Sequence, residues 1–419
     1  MKRALGILIL LISTFTVSPA AIGGKETVIV VSWGDIIGNP RFPGVAQLDT
    51  PEKVKIAAKM WKDRGVDKVL FRVDDWRYQE FHNMYMPEGG HYDEYRKAIL
   101  RARDTGLLPK VVTAIKEAGL EIQMWISIID EGAPTSVLYN DSVPFPWMAK
   151  FITAHPEMQA SDRSQSENGR KYHQGVLEFA YPEVRQYVLS EITYFADKLP
   201  FDGVFLSYRS HSPPPEHADQ FGFNKPIVDE YLKRYGKNIL RQDFDLEKWR
   251  SLRGEYLTQF LREVRAHLNK NGQKLSLGVP QGEHAGPPIG NIELQWRTWV
   301  KEKLVDDLVV GHHTLQRATY TNRTYRGWGY IQDQDENVGL PPIEVSLERD
   351  YGPLCKEYGV KLYADLPLGN FHRTYDDPTM GKGVETPEAL AALMAKLQKI
   401  PTLDGLVVDG RPFSVVAPQ

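Results

Sequence analysis

The sequence has almost no cysteine, no basic run and no long apolar segment beyond its first twenty residues. Cys355 is the only cysteine among 419 residues, which excludes an intramolecular disulfide and a lipid-modified cysteine near the N-terminus. No later segment reaches about 18 uninterrupted apolar residues, so a transmembrane helix is not expected there. The formal net charge is −3. A mildly acidic chain without basic runs is not expected to bind nucleic acid.

The first twenty residues have the composition of an export signal. Lys2 and Arg3 precede the apolar run "ALGILILLISTFTV", and residues 18–20, Ser-Pro-Ala, form a small-residue cleavage site. We therefore expect residues 1–20 to be a signal peptide. The mature protein, residues 21–419, is then secreted or periplasmic and has no membrane anchor. An uncleaved anchor is the alternative interpretation.

The rest of the chain alternates short β-branched runs with longer amphipathic stretches, which is the sequence form of repeated βα units. Most of the short runs are apolar on both faces, as parallel strands covered by helices should be. Eight strands are predicted, at residues 27–33, 68–73, 121–127, 203–207, 274–280, 307–311, 360–366 and 403–409. This pattern predicts a single α/β domain folded as a (β/α)8 TIM barrel. A doubly wound open sheet is the runner-up, although no glycine-rich phosphate turn follows the first strand.

The chain is longer than the roughly 250 residues that such a barrel needs. The extra length lies at residues 128–180, 208–248 and 312–342. Each of these stretches follows a strand and precedes a helix, so we expect long βα loops at the C-terminal face, where barrel active sites lie. After the eighth strand the sequence has "GRPFSVVAPQ" alone. Either the barrel closes without its last helix, or the strand count is off by one.

Polar and aromatic residues follow nearly every predicted strand. They include Trp33, Asp75, Trp76, Ser207, Tyr208, Arg209, Glu283, His312, His313 and Asp365. These residues would meet at the C-terminal end of the barrel, its mouth. Such a surface suits sugars, because aromatic rings cover the apolar faces of pyranoses while acids and imidazoles bind their hydroxyls. Paired carboxylates also supply the acid and base that break a glycosidic bond. We therefore expect a carbohydrate partner.

Three stretches resemble a known family. They are "AHPEMQASDRSQSENG", "YPEVRQYVLSEITYFADKLPFDGVFLSYRSH" and "FGFN", and "LQWRTWVKEKLVDDLVVG" continues the match. They are similar to the glycosyl-hydrolase-like family 10 proteins, secreted barrels of bacteria with a strand of the kind "D-G-I-H-L-D-Y-I-R-Y-P". The resemblance covers residues 27–310 and is strongest over 154–224. It implies a carbohydrate-active barrel, a glycoside hydrolase that degrades a polysaccharide or oligosaccharide.

The fourth strand departs from the family pattern at one position. Asp202, Gly203, Tyr208 and Arg209 match the family strand, but Ser207 stands at its carboxylate position. A hydroxyl cannot replace a carboxylate as nucleophile or proton donor, because its pKa lies far outside the useful range. Either the chemistry has moved to other acids in the mouth, or it has been lost.

We predict that two catalytic carboxylates come from Asp75, Glu283 and Asp365. Asp75 follows the second strand, and Glu283 lies in the glycine-flanked loop "VPQGEHAG". Asp365 follows a buried run in "LYADLPLG", where an unpaired charge is too costly. The structural alternatives are a salt bridge of Asp75 to Arg72 or Arg77 and an exposed loop position for Glu283.

Eight further residues are predicted to bind substrate. They are Trp33, Arg72, Trp76, Tyr208, Arg209, His211, His312 and His313. The two tryptophans end strands, where they can stack on sugar rings, and the arginine and histidine after the fourth strand suit a uronate or sulfated sugar. The adjacent histidines diverge and no H-x-H or H-E-x-x-H accompanies them, so we predict contacts with sugar hydroxyls, no metal and no cofactor.

Two other functions stay open at this point. Ser207 favours a non-catalytic barrel that binds glycans. A metal-dependent hydrolase, such as a deacetylase, would need a bound metal. A glycoside hydrolase releases product, which distinguishes it from a barrel that only binds.

Overall fold

In the computed structural model, eight strands close into a barrel, each hydrogen-bonded in parallel to two neighbours. The structure describes residues 24–31, 48–84, 93–133, 147–163, 171–208, 219–285, 292–312, 341–365 and 387–409. The barrel strands are β1 (Glu26–Val31), β2 (Lys68–Arg72), β3 (Glu121–Ser127), β4 (Gly203–Ser207), β5 (Lys274–Val279), β6 (Asp307–Val310), β7 (Lys361–Asp365) and β8 (Gly405–Asp409). The predicted (β/α)8 barrel is confirmed. The open sheet is excluded, because β1 pairs with both β2 and β8.

Helices cover the outside of the barrel. They are α1 (Pro51–Asp63), α2 (Asp74–Phe81), α3 (Asp93–Asp104), α4 (Leu107–Glu117), α5 (Lys150–Ala154), α6 (Pro182–Ala196), α7 (Lys225–Tyr235), α8 (Leu246–Leu268), α9 (Trp296–Lys301), α10 (Ile343–Ser346), α11 (Gly352–Tyr358) and α12 (Pro387–Gln398). A π-helical turn, Leu347–Tyr351, joins α10 to α11, and 3-10 turns lie at Pro156–Met158 and Asn269–Asn271. α1 begins where Thr50 Oγ1 accepts a hydrogen bond from the Lys53 amide.

The first long βα loop, after β3, has secondary structure of its own. Its strands Gly132–Ala133 and Trp147–Ala149 form an antiparallel sheet with His82–Met84, which directly follows α2, and its strands Gln159–Ser161 and Tyr172–Leu177 pair with each other. The second loop contains α7. Residues 313–340 of the third loop lie outside the described residues.

Two predictions about the chain ends also lie outside the described residues. They concern the signal peptide, residues 1–20, and the missing last helix, residues 410–419. Within the described ranges, none of the helices combines the length and the apolar character that a membrane span requires.

Alternation along each strand divides the apolar side chains into two cores. Outward-facing residues such as Val69 and Phe71 pack under the helices. Inward-facing residues form a separate cluster in the barrel interior, made of Val28, Leu70, Trp125, Phe205, Val309, Tyr363 and Val407. Because successive side chains point to opposite faces, the next inward positions after Leu70, Phe205 and Tyr363 are the last residues of β2, β4 and β7. The polar side chains there line the mouth.

A buried ion pair crosses the opposite, N-terminal end of the barrel. Lys68 Nζ lies 2.5 Å from Asp307 Oδ2, and both side chains are 3% exposed. Ser276 and Gln123 donate to the same oxygen at 2.7 and 3.1 Å. β2 and β6 are four strands apart in the closed sheet, so the pair spans the interior. These contacts fill the N-terminal end of the barrel interior, which we call its floor.

We predict that removing one partner of this pair destabilises the fold far more than removing a surface pair. In Lys68→Met the Asp307 carboxylate stays buried without its cation, which costs on the order of 3–5 kcal/mol. Urea denaturation followed by circular dichroism measures the free energy of unfolding. Lys59→Met is the matched control, because Lys59 pairs with Asp63 at the surface, where such pairs contribute little. Equal losses of unfolding free energy in the two variants would contradict the stabilising role of the buried pair.

Candidate active site

Four barrel strands bring polar inward-facing residues to one layer at the mouth. Arg72 ends β2, Ser127 ends β3, Ser207 ends β4 and Asp365 ends β7. His312 joins them from the turn after β6, where its amide donates to Val279 O at 3.0 Å. Ser207 is buried, whereas the Asp365 side chain is 20% exposed. Solvent therefore reaches this layer on the Asp365 side.

His312 links Ser207 to Asp365. Its Nε2 lies 2.9 Å from Ser207 Oγ, and its Nδ1 lies 2.6 Å from Asp365 Oδ2. An ionised carboxylate only accepts hydrogen bonds, so the Nδ1 that faces it carries the ring proton. In the neutral ring Nε2 is then an acceptor. The Ser207 hydroxyl therefore donates to Nε2.

Packing holds the His312 ring in this orientation. The rings of Trp125 and Phe205 meet it edge-on, with centroids 5.7 and 5.1 Å away. Gly278, on the inner face of β5, makes room for the ring, since a Cβ there would lie 2.5 Å from His312 Cδ2. Glycine is therefore required at residue 278 for both nitrogens of His312 to keep their partners.

Arg72 brings a positive charge to the same layer. Its guanidinium carbon lies 4.6 Å from the centroid of the Trp125 ring, in cation–π distance. The side chain is half-buried. Trp125 thus contacts both Arg72 and His312, so the cation and the imidazole share one apolar support.

Other residues that the sequence predicts for the site lie away from this layer. Trp76 and Tyr208 are buried in the outer core between the barrel and its helices. Burial raises the pKa of the Tyr208 hydroxyl far above its ordinary value. Glu283 lies on the loop after β5 with its side chain 49% exposed, and its carboxylate pairs with Arg297 at 2.6 Å.

Several predicted residues have side chains that the structure does not describe. Asp75 lies in the first turn of α2, directly after β2. The other four, Trp33, Arg209, His211 and His313, lie outside the described residues. Their roles stay predictions.

The structure also contains a buried charge cluster that no sequence pattern indicates. It lies behind the end of β3, where Arg77 Nη1 donates to Ser127 O at 2.8 Å. The Arg77 guanidinium pairs with Glu191 at 2.8 Å and also with Glu131, and all three side chains are fully buried. His82 Nε2 lies 3.3 Å from Glu131 Oε2. Its members come from α2, the short strand His82–Met84, the first long loop and α6, so only the fold brings them together.

Three members of this cluster have the chemistry of metal ligands. His82, Glu131 and Glu191 each offer a donor atom, and these atoms lie within 4.8 Å of one another. Arg77, however, already pairs with both carboxylates. A metal cation would have to displace the guanidinium or lie beside it against charge repulsion. The residues therefore fit an internal ion-pair network rather than a metal centre.

The cluster shifts the protonation of its members in different directions. Burial lowers the pKa of the His82 imidazole, but the two nearby carboxylates outweigh burial and raise that pKa above its ordinary value. Burial raises the pKa of Glu131 in spite of Arg77. For Glu191 the charges of Arg77 and His82 prevail over burial, and its pKa is lowered.

We predict that His82 stabilises the fold more in acid than in alkali. A raised folded-state pKa gives its full stabilisation below the unfolded-state value, about 6.5, and loses it as the pH rises through the folded-state value. The difference in free energy of unfolding between the wild type and His82→Gln should therefore shrink from about pH 5 to about pH 9. Urea denaturation at each pH measures it, and His155→Gln, whose side chain is 45% exposed, controls for loss of a histidine. A difference that grows with pH would show that the assignment is wrong.

Comparison with known proteins adds a family match. The family described as "Glycosyl hydrolase-like 10" matches residues 50–332. No protein with a curated description matches the sequence.

Three solved structures are similar in fold. The glycoside hydrolase domain of PgaB (BpsB) from Bordetella bronchiseptica is 12% identical, with a TM-score of 0.49, over 93% of this chain and 95% of that one. The glycoside hydrolase domain of PelA from Pseudomonas aeruginosa is 12% identical, with a TM-score of 0.35, over 83% of this chain and 87% of that one. The beta-galactosidase of the psychrophilic Marinomonas ef1 is 10% identical, with a TM-score of 0.44, over 81% of this chain. This chain spans 48% of that beta-galactosidase.

Proposed function

The chain belongs to the glycosyl hydrolase-like 10 family, and on this premise we propose that it hydrolyses glycosidic bonds of a polysaccharide or oligosaccharide at the barrel mouth. The observation that carries the proposal is Asp365. Asp365 is the last inward-facing residue of β7, and its side chain is partly exposed. His312 Nδ1 donates to its carboxylate at 2.6 Å. A catalytic carboxylate needs both access to substrate and a fixed orientation.

Asp365 is suited to one of the two carboxylate roles. A hydrogen-bond donor at 2.6 Å favours the ionised carboxylate over the neutral acid. An ionised carboxylate acts as the nucleophile of a retaining enzyme or as the base of an inverting one. Asp365 therefore attacks the sugar or activates the water, and the proton donor is another residue.

The proton donor in this proposal is Asp75 or Glu283. Asp75 follows β2, the strand that ends in Arg72. Glu283 forms an ion pair with Arg297. Because both side chains are about half exposed, breaking this ion pair costs little free energy. A separation from Asp365 of about 5–5.5 Å would give retention of configuration, and about 6.5–9.5 Å would give inversion.

The remaining parts of the proposal concern binding and location. Arg72 and His312 lie in the layer of Asp365, and we propose that they contact sugar hydroxyls or an acidic group of the substrate. Trp33, Arg209, His211 and His313 are proposed to complete the binding surface, whereas Trp76 and Tyr208 are buried in the outer core and take no part in it. The sequence of residues 1–20 supports export to the periplasm or the medium.

A glycan-binding barrel without turnover is the second candidate. It is favoured by Ser207, because β4 ends in a hydroxyl that is bonded to His312 where the family strand has a carboxylate. The two candidates share the mouth and the carbohydrate partner. They differ in whether product is released.

We predict that Asp365→Asn lowers glycoside hydrolysis by about 10²- to 10⁴-fold, because the amide can neither attack nor accept a proton. The measurement is reducing-end release from a panel of neutral and acidic polysaccharides. Glu302→Gln is the matched control, since Glu302 is a surface carboxylate that pairs with Arg262 at 2.8 Å on the helical side.

Asp75→Asn and Glu283→Gln identify the proton donor in the same assay. Undiminished turnover in all three acid-to-amide variants would overturn the carboxylate assignment. Calorimetric binding of a polysaccharide by the wild type without any released product would support the glycan-binding barrel instead.

A further inference from the structure

We propose that Ser207, His312 and Asp365 form a nucleophilic relay that cleaves carboxylic esters, with Ser207 Oγ as the nucleophile. The substrate class is an O-acyl ester with a small acyl group. Cleavage of the ester is inferred from the geometry of the three side chains alone. That the alcohol part of the ester is a carbohydrate rests on the proposed function.

The three side chains have the connectivity that such a relay needs. Ser207 Oγ lies 2.9 Å from His312 Nε2, and His312 Nδ1 lies 2.6 Å from Asp365 Oδ2. Both distances are within hydrogen-bond reach. The carboxylate selects the tautomer in which Nε2 carries no proton and can accept the proton of the hydroxyl. A serine, histidine and carboxylate in this order recur in hydrolases of unrelated folds, where geometry and roles define them.

A purely structural role explains this arrangement less well. Ser276, another buried serine of the barrel interior, donates directly to the Asp307 carboxylate at 2.7 Å. Ser207 instead reaches a carboxylate through an imidazole. That imidazole fits only because residue 278 has no side chain. The barrel thus places a base, rather than a simple acceptor, against the hydroxyl.

The surroundings suit the chemistry of acyl transfer. The rings of Trp125 and Phe205 shield the His312 ring and hold its plane. Arg72 brings a positive charge to the layer in which an oxyanion would form. The partial exposure of Asp365 shows that this layer borders the mouth.

The reaction balances without any further reagent. Ser207 Oγ attacks the ester carbonyl carbon while His312 Nε2 takes the hydroxyl proton. The bond from that carbon to the alcohol oxygen breaks, and Nε2 returns the proton to the leaving alcohol. Water then attacks the acyl-serine with the same base, which releases the carboxylic acid and restores the hydroxyl. Asp365 stays ionised and stabilises the imidazolium.

A fluorophosphonate probe and p-nitrophenyl acetate test the relay in the mature protein. We expect the probe to modify Ser207, as identified by peptide mass spectrometry. Ser207→Ala and His312→Asn should lower turnover of p-nitrophenyl acetate by on the order of 10³-fold or more. Ser190→Ala is the matched control, because Ser190 is an exposed serine of α6 far from the floor network and the relay, and it should keep both labelling and turnover. A folded protein whose Ser207 stays unlabelled, or whose turnover is unchanged in Ser207→Ala, would overturn the proposal.

Gly278→Ala tests whether the position of the His312 imidazole matters, without removing any of the three side chains. The added methyl group would displace the ring, so we expect kcat for p-nitrophenyl acetate to fall at least about tenfold, by analogy with other misplaced catalytic groups. Circular dichroism checks the fold. An unchanged kcat in a folded Gly278→Ala variant would contradict the proposal.

Failure of this inference and failure of the proposed function are separable. Asp365 serves both proposals, whereas Ser207 serves only ester cleavage. Labelling of Ser207 without glycan cleavage supports the relay and contradicts the glycosidase. Glycan cleavage that persists in Ser207→Ala, with no labelling of the wild type, does the reverse.

Discussion

The arrangement of the barrel mouth depends on the ion pair between Lys68 and Asp307 at the opposite, N-terminal end of the barrel. Both charges are buried, so they must meet, and Ser276 and Gln123 converge on the same carboxylate oxygen. Side chains of four strands thereby meet at one end, in the register that the parallel backbone pairing gives. Because side chains alternate with a period of two, that register decides which residues face inward at the other end. Gly278 lies one inward step above Ser276, and it is this position that admits the imidazole of His312.

The mouth shows how a change of residue can change the kind of chemistry available. A serine in place of a carboxylate cannot donate a proton to a glycosidic oxygen as an acid would. The same hydroxyl becomes a nucleophile once an oriented imidazole accepts its proton. His312 lies between this hydroxyl and Asp365, so in the two proposals a single histidine would orient a carboxylate for one reaction and activate a serine for the other. The two proposals therefore both depend on the position of the His312 imidazole.

The buried cluster around Arg77 supports the mouth from behind. Its guanidinium pairs with two carboxylates and donates to Ser127 O, while Ser127 Oγ donates to Ser207 O at 3.3 Å. The cluster thus connects α2, the first long loop and α6 to the end of β4. Loss of one member would leave a charge buried without its partner, which is far more costly than loss of a surface pair. The arrangement gives the long loop a firm attachment to the barrel.

The sequence by itself determined the eight strands and the barrel, because strand length and apolar alternation are local properties, and the described strand ends differ from the predicted ones by at most two residues. It also identified Ser207, His312 and Asp365 as strand-end residues, each for its own reason. Only the tertiary structure decided that they touch, since 105 and 53 residues separate the bonded pairs. The same holds for Arg77 and Glu191, 114 residues apart. Trp76 and Tyr208 show the limit most clearly, because their positions after strands suggested the mouth. Trp76, however, lies in α2, and Tyr208 directly follows the inward-facing Ser207, and both side chains are buried in the outer core. Contacts between residues distant in sequence exist only after the barrel has closed.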